Sequence, residues 1–385
     1  MTPWLECRAL AKRLGHKQVL HGLDLAVQRG EILSILGPSG SGKTTLIRLI
    51  AGLADPDAGE IAIAGRTVWG AGANVPVEQR GVGFVFQDYA VWPHMTAAGN
   101  VGFGLRMAGM ATAERQVRVG EALAAVHIAE LADRYPDQLS GGQQQRLALA
   151  RSLAARPALI LMDEPLSNVD AGLREQLRLE ILAAVRAQGA TAIYITHDQS
   201  EAMALCDRLA VMHDGRILQS GPPETLYRRP ASRFVAEFLG GVNLLPGEVV
   251  DDAGAAVFDC GRFRLRLADG ESPGAAELVF RPEDAVAAGA LGCNRLEARV
   301  ETCIFFGRCW RLTVRLDDAT LTLDWPTRMA AGSLLQFAVP PNRCAILPAA
   351  PSCPLRRPAR CAVYLLRHLP AAPPCPPQRS CKCPT

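Results

Sequence analysis

The stretch EILSILGPSGSGKTT, Glu31 to Thr45, joins a short apolar run to a segment rich in glycine and serine. An apolar run of this length is typical of a buried strand. The segment that follows fits the pattern Gly-x-x-x-x-Gly-Lys-Ser/Thr, and a helix is expected to open at Lys43, which is the context that the pattern requires. The sequence therefore predicts a phosphate-binding loop between a strand and a helix.

Each residue type in this loop suits a polyphosphate. Gly37, Gly40 and Gly42 let the backbone turn so that successive N–H groups face an anion, and the positive end of the following helix favours that anion. We expect Lys43 to neutralise the β- and γ-phosphates of ATP and the Thr44 hydroxyl to bind Mg²⁺. The alternative is a glycine-rich turn with a surface lysine. The expected ATP-binding set is the whole loop: Gly37, Pro38, Ser39, Gly40, Ser41, Gly42, Lys43, Thr44 and Thr45.

Short β-rich runs alternate with helical periodicity from residue 19 to about 240, which predicts an α/β core. The runs ALILMD, Ala158 to Asp163, and ATAIYIT, Ala190 to Thr196, are interpreted as further buried strands. Residues 96–157 look mostly helical and interrupt this sheet. A separate antiparallel lobe is expected over two alternating runs, LDLAV (Leu23 to Val27) and EIAIAG (Glu60 to Gly65).

An acidic pair, Asp163 and Glu164, lies at the end of the predicted strand ALILMD, within the string LILMDEP. Ligands of open α/β sheets bind at the carboxyl ends of the strands, which is where this pair lies. We expect Asp163 to hold the Mg²⁺ shell and Glu164 to orient or deprotonate the attacking water. Taken alone, such a pair is more often a helix cap, and its value here comes from its occurrence with the phosphate-binding loop.

The string LSGGQQQR, Leu139 to Arg146, predicts a second anion contact. Ser140, Gly141 and Gly142 lie where a helix is expected to begin, so they could present bare N–H groups to a phosphate. One phosphate-binding loop already supplies bare N–H groups to a bound phosphate, so it does not need a second set of them from the same chain.

With these motifs in this order, residues Leu5 to about Gly240 resemble the ABC ATPase family. In that family the LSGGQ-type signature contacts the γ-phosphate held by the opposite subunit. The resemblance therefore implies a homodimer in which Ser140, Gly141, Gly142 and Gln143 contact ATP bound to the partner.

Three further segments resemble loops of the same family. Gln87, in VFQDYAVWPHMT, is similar to the glutamine that links the Mg²⁺ site to the transmembrane partner. SNVD, Ser167 to Asp170, is similar to the loop that crosses the dimer interface, and it implies a trans contact by Asp170. His197, in ITHDQSEA, matches the histidine that contacts the γ-phosphate, although a lone histidine after a strand is more often structural.

The resemblance implies a complete set of roles. The expected catalytic residues are Glu164, His197 and Gln87, and the expected Mg²⁺ ligands are Thr44, Gln87 and Asp163. The expected cofactors are ATP and Mg²⁺.

The chain departs from the family pattern in two places. An aromatic residue that stacks on adenine usually precedes the glycine of LAKRLGHKQVL, and this chain has Leu14 there. Trp4 or His16 could substitute for it. The interface loop also has Asn168 and Val169 where Ala-Leu is common, a change that keeps Asp170.

The character of the sequence changes after FVAEFLGG, Phe234 to Gly241, because RLTVRL and TLTLDW alternate in period two. FRPEDA, Phe280 to Ala285, and VPPNRCAILPA, Val339 to Ala349, resemble the oligonucleotide/oligosaccharide-binding-type accessory domain of import ATPases. The predicted fold class is thus an α/β P-loop ATPase followed by a small all-β domain. The expected divisions are an ATP-binding domain over 1–240, an accessory domain over 241–349, and an unstructured tail rich in proline and cysteine over 350–385.

Charge and hydropathy limit the kinds of partner that we expect for this chain. A net charge of +3 in 385 residues does not indicate a nucleic-acid binder, and no stretch reaches the length of about 18 uncharged apolar residues of a membrane span. We therefore expect a peripheral protein at the cytoplasmic face of the membrane.

The resulting hypothesis is the ATP-hydrolysing subunit of an import complex with two permease subunits and a separate solute-binding protein. NVPVEQRGVGFVFQDYAVWPHMT resembles the ferric-ion import group most, with polyamine, phosphonate and sugar importers as alternatives. A soluble ABC-type mechanoprotein acting on DNA or ribosomes would be expected to have paired cassettes and a basic face. A non-hydrolysing regulatory subunit would be expected to lack Glu164 or His197.

Overall fold

The computed structural model describes residues 2–167, 169, 171–268, 271–290 and 294–348, without the side chains of Ala171, Leu173 and Ala290. The described residues belong to one compact unit. Asn168, Asp170 and the predicted tail over 350–385 lie outside the described residues.

The described residues form the following strands and helices in chain order. The strands are β1 (Leu5–Leu14), β2 (Lys17–Val27), β3 (Ile32–Leu36), β4 (Ala58–Ile63), β5 (Arg66–Gly70), β6 (Ala73–Asn74), β7 (Val82–Val85), β8 (Leu159–Asp163), β9 (Thr191–Thr196), β10 (Arg208–His213), β11 (Arg216–Gly221), β12 (Asn243–Asp252), β13 (Ala255–Asp259), β14 (Arg264–Arg266), β15 (Gly274–Phe280), β16 (Val286–Ala287), β17 (Arg295–Phe305), β18 (Trp310–Leu316), β19 (Ala319–Trp325), β20 (Leu334–Ala338) and β21 (Ala345–Pro348). The helices are α1 (Lys43–Ala51), α2 (Ala97–Met107), α3 (Thr112–Ala125), α4 (Gly141–Ala154), α5 (Ala171–Ala187), α6 (Gln199–Leu205), α7 (Pro223–Arg228) and α8 (Arg233–Phe238).

The central sheet has the order β11-β10-β3-β9-β8-β7, and its strands from β10 to β7 run parallel. Every residue of β3, β8 and β9 is buried, as expected for strands that are covered on both faces. This confirms the predicted α/β core. Because the strands are parallel, the loops that follow β3, β8 and β9 emerge at one edge of the sheet.

Alternate residues of these strands point into two different cores. On one face, Ile160 and Tyr194 pack with α4 and α5, whose buried residues include Leu147 and Ile181. On the other face, Leu161 and Ile193 pack with α1 and an antiparallel sheet of order β2-β1-β4-β5-β6. The predicted antiparallel lobe is thus present, and it covers one face of the central sheet.

A helical insertion of α2, α3 and α4 separates β7 from β8, as the sequence predicts. The helices pack against one another through small and aliphatic residues such as Val101, Leu123 and Leu147. None of the helices in the described part of the chain is both long enough and apolar enough to cross a membrane.

The chain after α8 forms two five-stranded sheets, of orders β14-β13-β12-β15-β21 and β16-β20-β17-β18-β19. Their inner faces share one core, in which Phe258 and Phe337 are fully buried. This arrangement confirms the predicted all-β accessory fold.

Arg281, in the FRPEDA segment, joins this β region to the helices that precede it. It is 3% exposed, and its Nη1 donates to the carbonyl oxygens of Ala236 at 2.8 Å and Gly240 at 3.0 Å. Its Nη2 donates to the Tyr227 carbonyl at 3.0 Å, and its guanidinium lies 4.1 Å from the centre of the Tyr227 ring. A single buried cation therefore binds backbone carbonyls in the last turn of α7, in α8 and just after α8.

Candidate active site

Three of the predicted motifs meet at the carboxyl edge of the central sheet. Leu36, which ends β3, pairs with Thr196, which ends β9, and Asp163 of β8 pairs with Ile195. The phosphate-binding loop, Glu164 and His197 therefore leave adjacent strands at the same edge. The parallel register brings the loop together with two residues that lie more than 100 positions further along the chain.

The phosphate-binding loop requires its glycines for two different reasons. Gly40 and Gly42 have φ values of 80° and 105°, a backbone conformation that side chains with a Cβ rarely adopt. A Cβ at Gly37 would lie 2.2 Å from the carbonyl oxygen of Met212, so this position has no room for a side chain. The loop is thus held close to β10 and ends in α1, which begins at Lys43.

Lys43 lies inside the loop. Its Nζ donates to the carbonyl oxygens of Gly37 at 2.7 Å and Pro38 at 3.0 Å, and the residue is 5% exposed. Burial lowers the pKa of the Lys43 ammonium, while the nearby Glu164 and Asp163 carboxylates act in the opposite direction. The ammonium is therefore held by carbonyl oxygens of the loop at the start of α1, a position that fits a polyphosphate.

Thr44 and Asp163 form the contact expected of a magnesium site. The Thr44 hydroxyl donates to Asp163 Oδ1 at 3.0 Å. Burial is the main cause that raises the pKa of the Asp163 carboxyl, and the Thr44 hydrogen bond partly offsets it. Mg²⁺ is commonly bound by one or two protein oxygens together with substrate phosphates, and this pair of oxygen donors fits that pattern.

Glu164 and His197 form a second pair beside Asp163. Glu164 Oε2 lies 3.1 Å from His197 Nδ1, and their side chains are 21% and 59% exposed. Glu164 has a φ of 45°, which is uncommon for a residue other than glycine. Its N–H donates to the Ile195 carbonyl at 3.0 Å, and its carbonyl accepts from the Ser167 hydroxyl at 3.0 Å. Hydrogen bonds on both sides thus hold the carboxylate at the solvent-accessible edge.

Gln87 lies at the same edge. It follows β7, whose last residue Val85 pairs with Met162, the residue before Asp163. Gln87 is exposed. The structure therefore places Gln87 in the loop next to the acidic pair, as the motif order predicts.

The LSGGQ segment lies at the start of α4, as expected. Ser140 is its N-cap, and it forms a capping box in which the Ser140 N–H donates to Gln143 Oε1 at 2.9 Å. Ser140 and Gly141 are exposed. Among the described residues no hydrogen bond connects this segment to the phosphate-binding loop of the same chain.

Residues 20–167 match the family model described as "ABC transporter". The chain is 48% identical over 264 residues to the sn-glycerol-3-phosphate import ATP-binding protein UgpC 1 of Rhizobium johnstonii. The aligned region covers 68% of this chain and 70% of the relative. It is 43% identical over 316 residues to the spermidine/putrescine import ATP-binding protein PotA of Rubrobacter xylanophilus, covering 80% and 82% of the two chains. This chain belongs to the ABC transporter family.

Within the family it is an importer-type ABC ATPase. The Fe(3+) ions import ATP-binding protein FbpC of Photorhabdus laumondii is 47% identical over 249 residues, covering 65% of this chain and 70% of the relative. A solved structure of the ATP-binding cassette MJ0796, in a dimeric post-hydrolysis state bound to ADP and Pi, superposes with a TM-score of 0.51 at 31% identity. It covers 57% of this chain and 98% of that cassette.

The departure of this ABC ATPase at Leu14 is visible in the structure. Leu14 ends β1 and is 55% exposed, and His16 is exposed in the following turn. The suggestion that Trp4 covers the adenine is wrong, because Trp4 precedes β1 and so lies at the opposite end of that strand. The Trp4 indole N–H donates to the Ala158 carbonyl at 2.6 Å, and Arg29 lies 4.8 Å from the ring centre.

The ABC ATPase also has a buried polar cluster that sequence analysis missed. Glu201 is 5% exposed and accepts hydrogen bonds from the Thr196 hydroxyl at 2.8 Å and the Tyr194 hydroxyl at 3.2 Å. Asp198 caps α6, and its Oδ1 accepts from the Glu201 N–H at 3.0 Å. The available signal was the spacing Asp-x-x-Glu in HDQSE, which indicates a helix start.

Proposed function

We propose that this ATPase binds ATP on Gly37 to Thr45 and hydrolyses it at Glu164 and His197 to drive the import of a solute. The observation that supports this most is the placement of the Glu164–His197 pair directly beside the Thr44–Asp163 pair. A phosphate-binding loop, a pair of oxygen donors and a carboxylate–imidazole pair are the components that phosphoryl transfer to water requires.

The loop binds and orients the nucleotide. Its N–H groups and Lys43 neutralise the β- and γ-phosphates. Because the loop also orients the nucleotide, the γ-phosphorus lies within reach of a water molecule at Glu164. Thr44, Asp163 and Gln87 are the residues that would hold Mg²⁺, which when bound neutralises phosphate charge.

Glu164 accepts a proton from the attacking water or fixes its orientation. The carboxylate is suited to this role because two backbone contacts hold it at the edge of the sheet. His197 is proposed to bind the γ-phosphate oxygens, and its ring lies beside Glu164, with Nδ1 3.1 Å from Glu164 Oε2. Their proximity lets the two groups act on the same phosphate.

A second copy of the chain completes each site. Ser140, Gly141, Gly142 and Gln143 are proposed to contact the γ-phosphate held by the partner, because the start of α4 is exposed and has no hydrogen bond to its own phosphate-binding loop in the described residues. Asp170 is proposed to make a further trans contact. The similar MJ0796 cassette, which was solved as a dimer, supports this arrangement.

The chain is proposed to act at the cytoplasmic face of the membrane, on two permease subunits that receive solute from a separate binding protein. The relatives' names as import ATP-binding proteins support this assignment. Exposed Gln87 is proposed to link the Mg²⁺ site to a permease. Residues 1–240 are proposed as the motor domain and residues 241–349 as the accessory domain.

Ferric ion is the proposed solute. The names of several relatives specify Fe(3+) ions, and the region around Gln87 resembles that group most. Glycerol 3-phosphate and polyamines are the competing solutes, because relatives with those names have similar identity.

An uptake assay tests the function and the solute together. Cells that lack the chain and are supplied with the wild type are expected to take up labelled ferric ion. Lys43→Ala should reduce both uptake and ATP hydrolysis by about 100-fold, the range for removal of one group that stabilises the transition state. Lys12→Ala, which removes a partly buried lysine of β1 that pairs with Asp57, is the matched control. Uptake of spermidine or glycerol 3-phosphate instead of iron would reassign the solute, and wild-type activity of Lys43→Ala would refute the proposed site.

A further inference from the structure

Arg174 of α5 lies between the loop that follows β8 and the segment that follows β9. Its Nη2 donates to the Val169 carbonyl at 3.0 Å, within the SNVD loop. On the other side, its Nη1 lies 4.0 Å from Asp198 Oδ2 and its Nε lies 3.9 Å from Glu201 Oε1. One guanidinium therefore contacts the proposed interface loop and the two carboxylates that follow His197.

The carboxylate side of this contact is firmly held. Glu201 is buried and accepts hydrogen bonds from Thr196 and Tyr194, which lie on β9. Asp198 caps α6 and also accepts from the Ser200 hydroxyl at 2.6 Å. His197 lies directly between Thr196 and Asp198 in the chain. The backbone that carries His197 is thus fixed at both ends by the groups that face Arg174.

The contacts of Arg174 are unequal in length. Its bond to Val169 has ordinary hydrogen-bond geometry, whereas the distances to Asp198 and Glu201 exceed hydrogen-bond range. Arg174 Nε is buried and has no hydrogen-bond partner among the described residues. A buried donor in this state is costly, and a displacement of about 1 Å would bring it within hydrogen-bond distance of Glu201. The guanidinium therefore has a second arrangement available close to the observed one.

We infer that Arg174 is a positioning residue, which fixes the segment that carries His197 relative to the loop at Val169. The inference rests on the proposed function, in which that loop meets the second subunit. The Val169 carbonyl fixes the guanidinium on one side, and the firmly held carboxylates of Asp198 and Glu201 face its charge on the other. Through these contacts, Arg174 keeps His197 in the position in which it faces Glu164.

The test compares three variants of the full-length protein. Arg174→Met keeps much of the side-chain length but removes the charge and all donors, and Arg174→Lys restores the charge without the planar fork. Arg186→Met is the matched control, because Arg186 is on the same helix and pairs with Asp207 at 2.8 Å, away from both loops. For each variant kcat, KM for ATP, the Hill coefficient and the melting temperature are measured.

Arg174→Met is expected to lower kcat by about 10- to 100-fold, the cost of a misplacement on the order of 1 Å, while KM changes by less than about twofold. The Hill coefficient should fall towards one, and Arg174→Lys should recover part of kcat. A kcat within about twofold of wild type, or a loss that disappears on cooling below a lowered melting temperature, overturns the inference. Loss of turnover in Glu164→Gln would persist in either case, so failure here is distinguishable from failure of the proposed function.

Discussion

At the scale of single residues, the Glu164 carboxylate is held by its own backbone, which has a positive φ and hydrogen bonds to Ile195 and Ser167. An unusual backbone conformation persists when its surroundings determine it, and such positions concentrate at active sites. The side chain projects towards His197 and remains partly accessible to water. These features suit a group that must meet a water molecule in a fixed orientation.

Glu164→Gln is therefore expected to retain ATP binding and to lose most turnover. The amide keeps the size of the side chain and its hydrogen bonding but cannot accept a proton, so the expected loss is about 10²- to 10⁴-fold. Steady-state phosphate release measures turnover, and equilibrium titration with ATP measures binding. Glu175→Gln, an exposed residue of α5, is the control. Turnover near the wild-type rate would remove Glu164 from the mechanism.

The sequence could identify the site residues that belong to a motif. Lys43, Thr44 and Asp163 could be placed together because a strand precedes each motif and parallel strands share one carboxyl edge. Arg174 could not be found in this way. Its partner in the SNVD loop is a carbonyl group, which every residue has, and its carboxylate partners are more than 20 residues away. Only the folded chain brings them together.

At the scale of elements, Arg281 connects the β region to α7 and α8. Its charge is buried, and backbone carbonyls satisfy it in place of a carboxylate. Burial lowers the pKa of this guanidinium, which remains protonated because the ordinary pKa of arginine is far above neutral. Removal of the cation would leave several buried carbonyl oxygens without donors.

Arg281→Met is thus expected to destabilise the protein, since each unsatisfied buried carbonyl costs about 1–3 kcal/mol. Calorimetry should show a fall of several degrees in the melting temperature, or a separate early transition of the β region. Arg299→Met, which removes one exposed contact to the Gly332 carbonyl within the same region, is expected to have little effect. Equal melting profiles for the two variants would contradict the role of Arg281 at this junction.

Strands that consist of long apolar or alternating runs could be predicted from the sequence. β3, β8 and β9 stand out because they are continuously apolar and buried on both faces, and β18 and β19 stand out because their residues alternate. The sequence did not reveal that the β region divides into two sheets around one core. Strand order depends on which distant edges pair, and an isolated period-two run carries no information about its partner.

At the scale of the whole molecule, the signature segment at Ser140 and the phosphate-binding loop lie on separate parts of the chain. The start of α4 is exposed, while Lys43 is buried in its own loop. The proposed composite site, formed by two copies, accounts for the occurrence of both features in one chain. Turnover per subunit is then expected to rise with protein concentration, because assembly precedes hydrolysis.

A mixing experiment tests the composite site. Ser140→Arg should abolish turnover by crowding and charging the shared site, and Lys43→Ala should abolish it by removing phosphate binding. A heterodimer of the two variants places both lesions in one site and leaves the other site intact. Partial recovery of phosphate release in the mixture is therefore expected, whereas full activity of either variant alone would refute the dimeric mechanism.

The Arg281 junction has a consequence for how such proteins can diversify. Its acceptors at Tyr227, Ala236, Gly240 and Gly241 are main-chain oxygens, so these four bonds depend on the path of the backbone and not on the side chains of the acceptor residues. A recombination event near residue 241 would keep these main-chain bonds if the incoming β region carried the arginine, but it would also have to match the Tyr227 ring and the Arg233–Glu277 ion pair across the junction.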